Sequence, residues 1–176
     1  MDYITRKKIA TAFHTAVIQR DFTHTSVTTI MDLACMRRQT FYDYFQDKYE
    51  LLVWFVADSL GETIEANFGY LPWREIVQLT MFELDAQRPF YASVMRDQQE
   101  VDLVDLFAAH LQDLVQHYST SWTQNTTSQR HVTELVVLGI SYRIMRNLTA
   151  VNPIDYEIIG ADAIKSLAEI IDQPHP

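Results

Sequence analysis

The chain runs sixty residues before its first glycine or proline: Gly61 is the earliest of four glycines and five prolines. A sheet protein spends such residues at its turns, so a chain that withholds them points to helices joined by short polar connections. With 48% hydrophobic and 21% charged residues, the 176-residue chain has enough apolar side chain to bury a core. The longest apolar run, Leu51 to Ala57, falls far short of the about 20 residues a membrane span takes. The start, Met1-Asp2-Tyr3-Ile4-Thr5-Arg6, has no apolar export segment, and the single cysteine, Cys35, excludes an internal disulfide and suits a reducing compartment. A cytoplasmic, all-α protein is expected, with no membrane partner.

Net charge is −9, which by itself argues against nucleic acid. The average conceals a division: the first 48 residues carry a net +2 and the remainder −11. Charge asymmetry of this kind suggests different tasks for the two segments. Screening over about 8 Å lets a basic contact surface act independently of a distant acidic body.

Apolar spacing of three and four residues marks nine or so helices. The first covers about Thr5 to Arg20, with Ile9, Ala12, Phe13, Ala16 and Val17 on one face. Ser26 is placed to cap a second helix carrying Val27, Ile30, Leu33 and Ala34. A third, short helix holds Phe41 and Phe45 facing inward, with Gln39, Thr40 and Asp43 facing away. Asp47 and Glu50 resemble a capping box opening a long fourth helix from Lys48 to about Asn67. Further helices are expected after Pro72, from Pro89 to about Gln98, from Val101 to Tyr118, from His131 to Ala150 and from Asp155 to Asp172. Residues Ser119 to Gln129, seven of them Ser or Thr, read as a loop.

The chemistry concentrates between Ser26 and Phe45. A helix of about eight residues, a short turn and a second short helix with a polar outer face match a helix-turn-helix. Such a second helix enters a major groove about 12 Å wide, and its N-terminal end meets base edges. Here that end presents Arg37, Arg38, Gln39 and Thr40. Arginine reads guanine, glutamine reads adenine, and threonine reaches a base or a thymine methyl. Tyr42 and Tyr44 offer hydroxyls, and Lys48 stands at the next helix start, where free N–H groups attract phosphate. Arg6, Lys7 and Lys8 form at best an auxiliary phosphate patch.

At these residues the chain resembles the DNA-binding domain of the TetR family. The likeness runs from about Thr5 to Trp54, and Thr40-Phe41-Tyr42-Asp43-Tyr44-Phe45 followed by Lys48 and Leu51-Leu52 is its most specific part. Arg37 to Gln46 and Glu50 to Trp54 are similar in wording to regulators associated with dihydroxyacetone kinase operons. The resemblance implies a homodimer on palindromic double-stranded operator DNA, with a helical C-terminal region for dimerisation and effector response. Carried over by position, it makes Thr28, Arg37, Arg38, Gln39 and Thr40 base-side residues, and Ser26, Tyr42, Tyr44 and Lys48 phosphate contacts. Cys35 and Gln39 stand where the family often has glycine, so Cys35 must turn the chain without glycine's freedom at positive φ.

A DNA-binding domain is accordingly expected over 1–47, and an effector-response and dimerisation domain over 48–176. Two stripes are candidate dimer contacts: Leu135, Val136, Gly139, Ile140 and Arg143, and Ile158, Ile159, Ala163, Ile164 and Leu167. A core buried within one protomer is the rival explanation of both. The body's aromatics, among them Trp54, Phe55, Phe68, Trp73, Phe82, Phe90, Tyr91, Phe107, Tyr118 and Trp122, are expected mostly in the core, with a minority lining an effector cavity. His110, Asp113 and His117 share a helical face but read as a solvated face rather than a metal site, and no cofactor or enzyme activity is expected. Asn125-Thr126-Thr127 and Asn147-Leu148-Thr149 match a glycosylation sequon that an intracellular chain would never use.

Control is expected to act on the spacing of two DNA heads, about 34–36 Å apart on successive major grooves. The first expectation is that a small molecule enters the aromatic body and releases a repressor; the alternative is that a metabolite-sensing protein partner of the dihydroxyacetone kinase type controls a DNA-bound activator. A helical interaction module without DNA binding is the third possibility.

Overall fold

A computed structural model describes residues 2–119 and 127–172. Among them it places nine α-helices and no strand: α1 Asp2–Arg20, α2 Val27–Leu33, α3 Arg38–Tyr42, α4 Lys48–Thr63, α5 Trp73–Ala86, α6 Arg88–Asp97, α7 Leu103–Tyr118, α8 Thr127–Leu148 and α9 Tyr156–Ile171. The fourth helix ends earlier than its apolar pattern suggests. It stops at Thr63, and a 3-10 turn over Glu65–Asn67 takes up the remainder. The expected Ser/Thr-rich loop is shorter, because α8 begins at Thr127; most of that loop, Trp122 and the sequon asparagine Asn125 lie outside the described residues. No helix among the described residues is long and apolar enough to cross a membrane.

The chain forms two compact units. One holds the residues up to Asp58 together with Gln87–Asp102; the other holds Ser59–Ala86 and the residues from Leu103 onward. The first unit thus extends past residue 47 along α4 and takes in α6 from the middle of the chain. Its core is Ile9, Phe13, Ala16 and Val17 of α1, Ile30 and Met31 of α2, Phe41, Phe45, Leu51, Leu52 and Val56, all buried. Phe90 of α6 completes it, meeting Phe13 edge-on at 5.7 Å and Phe55 at 4.8 Å. Several aromatics that the sequence assigns to an effector body therefore fill the core of the N-terminal unit instead.

In the second unit, α5 packs on α9 and α7 on α8, with α9 also touching α7 and α8. Asp155 caps α9 by accepting from the Glu157 amide at 2.8 Å. Asp172, just past the last turn of α9, accepts from Trp73 Nε1 at 3.3 Å and pairs with Arg74, pinning the start of α5 to the end of α9. Thr133 and Ser141 are buried in α8 without orphaned hydroxyls, because each bonds back to the carbonyl four residues earlier. Asn147, the second sequon asparagine, is buried and bonds both N–H and C=O of Ile154, so it staples the connection between α8 and α9.

Of the four glycines, Gly160 has a packing reason to lack a side chain. A Cβ there would lie 2.9 Å from Met81 Cγ, near the root of that side chain, so α5 and α9 approach too closely for alanine. Overpacking should outweigh the gain in helix propensity. Gly160→Ala is expected to lower stability by about 1–2 kcal/mol, read as a lower midpoint in urea denaturation; an unchanged or raised midpoint would show that the contact is slack.

Candidate nucleic-acid interface

The approach to α2 is built by α1's termination. Asp21 takes a left-handed conformation at φ 66° while its amide still donates to Val17 O at 2.8 Å. Its carboxylate accepts from the His24 amide, which with the His24 side chain holds the Asp21 pKa below the usual carboxylate value. Ser26 then caps α2 as expected, its hydroxyl accepting from the Thr29 amide at 3.1 Å. After α2 the chain reverses through Cys35, which is exposed and sits at φ 53°, the left-handed region that glycine favours. Arg37 is extended and immediately precedes α3.

Helix α3 is only five residues long, and its orientation follows from what it buries. Phe41 is 0% exposed and Phe45, just beyond the helix, 3%. With those rings inward, Arg37, Arg38, Gln39 and Tyr42 are exposed and Thr40 and Tyr44 half-buried, while Thr28 and Ser26 are exposed on the preceding helix and its cap. Arg38 donates to its own Tyr42 hydroxyl at 3.2 Å, an exposed contact one turn apart that costs little to exchange for another acceptor. The base-side and hydroxyl candidates thus lie on the solvent side of one helix-turn-helix.

Lys48 is placed differently. Its ammonium donates to the carbonyls of Phe22 at 2.9 Å, Thr25 at 3.3 Å and Thr23 at 3.4 Å, and it lies 4.4 Å from the Phe22 ring centre. Burial pushes its pKa below the ordinary lysine value, against the opposing pull of Asp21, Asp97 and Glu100. The capping box is also modified: Asp47 accepts from the Tyr49 and Glu50 amides, while Glu50 reaches back to the Gln46 amide at 2.6 Å. Of the N-terminal basic residues, Lys7 pairs with Asp58 at 2.6 Å and Arg6 leans on Asp2 and the Phe45 ring.

Sequence reasoning places a helix from Pro89 to about Gln98 but does not connect it with the helix-turn-helix. Ser93, buried on that helix, accepts from the Phe22 amide at 2.9 Å and passes its own proton toward Asp97 at 3.1 Å. No motif marks a serine seventy residues from its partner. His14, by contrast, stacks between Phe55 and Phe90 with its Nε2 unpartnered, and burial lowers its pKa.

The dimer candidates divide. Leu135 is 70% exposed, Gly139 and Arg143 are also exposed, and Val136 and Ile140 are half-buried along an open furrow between α8 and α9. Ile158 is exposed and Ile164 half-buried, but Ile159, Ala163 and Leu167 are buried in the protomer's own core. A Cβ on Gly139 would meet no neighbour, and Arg143 pairs with Asp162 across the furrow at 2.8 Å. His110 pairs with Glu65 at 2.7 Å, and His117 lies flat on Phe68 at 4.3 Å between ring centres. Asp113 is exposed, and no group of three metal-ligating side chains occurs among the described residues.

The left-handed turn residue gives a test of the local geometry. A non-glycine residue there costs about 1–2 kcal/mol, part of which glycine returns as backbone entropy in the unfolded chain. Cys35→Gly is expected to raise the melting temperature, by about 1 kcal/mol of added stability; a lowered melting temperature would show that the turn is not strained.

No family profile matches the chain. It is 38% identical over 91 residues to the HTH-type dhaKLM operon transcriptional activator DhaS of Lactococcus lactis subsp. lactis (strain IL1403), a match spanning 52% of this chain and 49% of that one. The matched region is therefore about half the length of that relative. The solved structure of a dihydroxyacetone kinase operon activator, DhaS, superposes over 97% of both chains with a TM-score of 0.76 at 24% identity. A TetR transcriptional regulator from Streptococcus agalactiae 2603V superposes over 97% of this chain and 95% of its own with a TM-score of 0.60 at 13% identity. The chain has the all-helical TetR-like fold, and the proteins it resembles are transcriptional regulators rather than enzymes.

Proposed function

We propose that the chain is a cytoplasmic transcriptional regulator that binds a palindromic operator as a homodimer. The observation that carries the reading is the outward set on α3: Arg37, Arg38, Gln39 and Thr40 stand at the open end of a five-residue helix whose other side is locked by buried Phe41 and Phe45. In this reading those four and Thr28 face the bases, and Ser26, Tyr42 and Tyr44 face phosphates. The DNA-binding region is residues 1–47 at its narrowest. The rest carries control and dimerisation, with the exposed part of the α8 stripe meeting its copy about a twofold axis.

Control enters through the C-terminal region and shifts the population of DNA-competent dimers. One observation favours an activator over a repressor. The Lactococcus relative is named an operon activator.

Selection of bound sequences from a random DNA pool tests the base-side assignment. Arg38→Ala and Gln39→Ala are each expected to cost about 1–3 kcal/mol and to relax preference at one position per half-site, while Tyr42→Phe weakens all sequences alike. Unchanged preference in both base-side variants would remove the assignment. For the dimer, Leu135→Asp is expected to convert a sedimenting dimer to monomer; a variant that still sediments as a dimer would move the interface elsewhere.

A further inference from the structure

The connection between α1 and α2, residues 21–25, is held from two sides within the N-terminal unit. Lys48 at the start of α4 has three ammonium protons, and three carbonyls of this connection surround it, those of Phe22, Thr23 and Thr25. From the other side, Ser93 of α6 accepts the Phe22 amide proton. The grip is reinforced from within: Thr25 Oγ1 donates to Asp21 O at 2.6 Å and the Thr25 amide donates to Phe22 O at 3.3 Å. Both Phe22 and Thr25 are buried, and Ser26, the next residue, is the cap that starts α2.

We infer that Lys48 and Ser93 are positioning residues for the helix-turn-helix: together they fix where α2 begins, and through α2 the pose of α3, and Lys48 does not spend its charge on a DNA phosphate. A lysine whose protons already meet three carbonyls can reach a phosphate only by abandoning at least one of them. Its ammonium lies over the Phe22 ring and 5.8 Å from the centre of that of Tyr49, so the departure would also give up these cation–aromatic contacts. Burial depresses its pKa, as befits an ammonium held out of water rather than displayed to it. Ser93 extends the machinery into a helix that the sequence gives no reason to connect with DNA. Asp97 accepts the Ser93 proton and Arg96 pairs with Asp97, so the serine's lone pair is aimed at the Phe22 amide.

The affinity arm of the test rests on the DNA-binding reading; the exchange arm does not. Lys48→Met keeps the stem and removes the donors, and Ser93→Ala removes one acceptor with little change in volume. In the free, full-length protein, amide exchange is expected to speed at least fivefold at Thr25 and Thr29 in Lys48→Met and at least tenfold at Phe22 in Ser93→Ala. With DNA, both variants are expected to bind three- to tenfold more weakly at every salt concentration, leaving the slope of log affinity against log salt as in the wild type. A phosphate contact would instead flatten the slope of Lys48→Met by about 0.9 and leave exchange unchanged; that result overturns the inference. Should Lys48→Met fail to fold, Ser93→Ala decides alone: wild-type exchange at Phe22 overturns the grip. If the wild type binds no DNA, the functional reading falls, while accelerated exchange in both variants would still support the grip and unchanged exchange would end it.

Discussion

Burial of Phe41 and Phe45 is the constraint on which the rest depends. These rings are four residues apart, one on and one just beyond a helix too short to stand by itself, and both are sealed in the core of the N-terminal unit. An isolated helix of five residues has no stability of its own, so α3 exists because its inner side is buried. Truncating a buried phenylalanine costs about 3–5 kcal/mol, comparable with the whole margin of a small unit. Once the rings are inside, the intervening and preceding side chains have no choice of direction. The polar set at the N-terminal end of α3 is thus a consequence of packing, and its exposure needs no further device.

Around that helix, the unit uses local chemistry where glycine is missing. Two non-glycine residues, Asp21 and Cys35, hold left-handed conformations at the ends of α1 and α2. Asp21 offsets its strain through bonds to the His24 amide and ring. Cys35 is followed by a tight return, with the Met36 amide donating to Met31 O at 3.0 Å, and its strain is met by the packing on either side. The two turns set the angle between α1, α2 and α3 without a flexible residue in the first sixty.

Much of this was legible in the sequence. The all-helical class followed from the distribution of glycine and proline, and the caps at Ser26 and Asp47 followed from residue type and position. Phe41 and Phe45 were readable as core because three- and four-residue spacing reports a buried face directly. What could not be read was long-range. Phe90 and Ser93 complete the N-terminal unit from a helix some seventy residues away, and amphipathic spacing says that a face is buried, never against what. The same ambiguity explains the α9 stripe: Ile159, Ala163 and Leu167 have the pattern of an interface and the environment of a core. Lys48 shows a further limit, since residue type and position say nothing of the three carbonyls that its ammonium meets.

The central claim is that this unit binds duplex DNA. Its most direct test is a mobility-shift titration of the purified chain against fragments from upstream of its own coding sequence, over a range of salt. The account expects a discrete complex holding two chains on one short palindromic fragment, weakening as salt rises and losing to a specific competitor before a random one. Free DNA at every protein concentration and at every salt below the physiological range would contradict it, and would leave the protein as a helical interaction module.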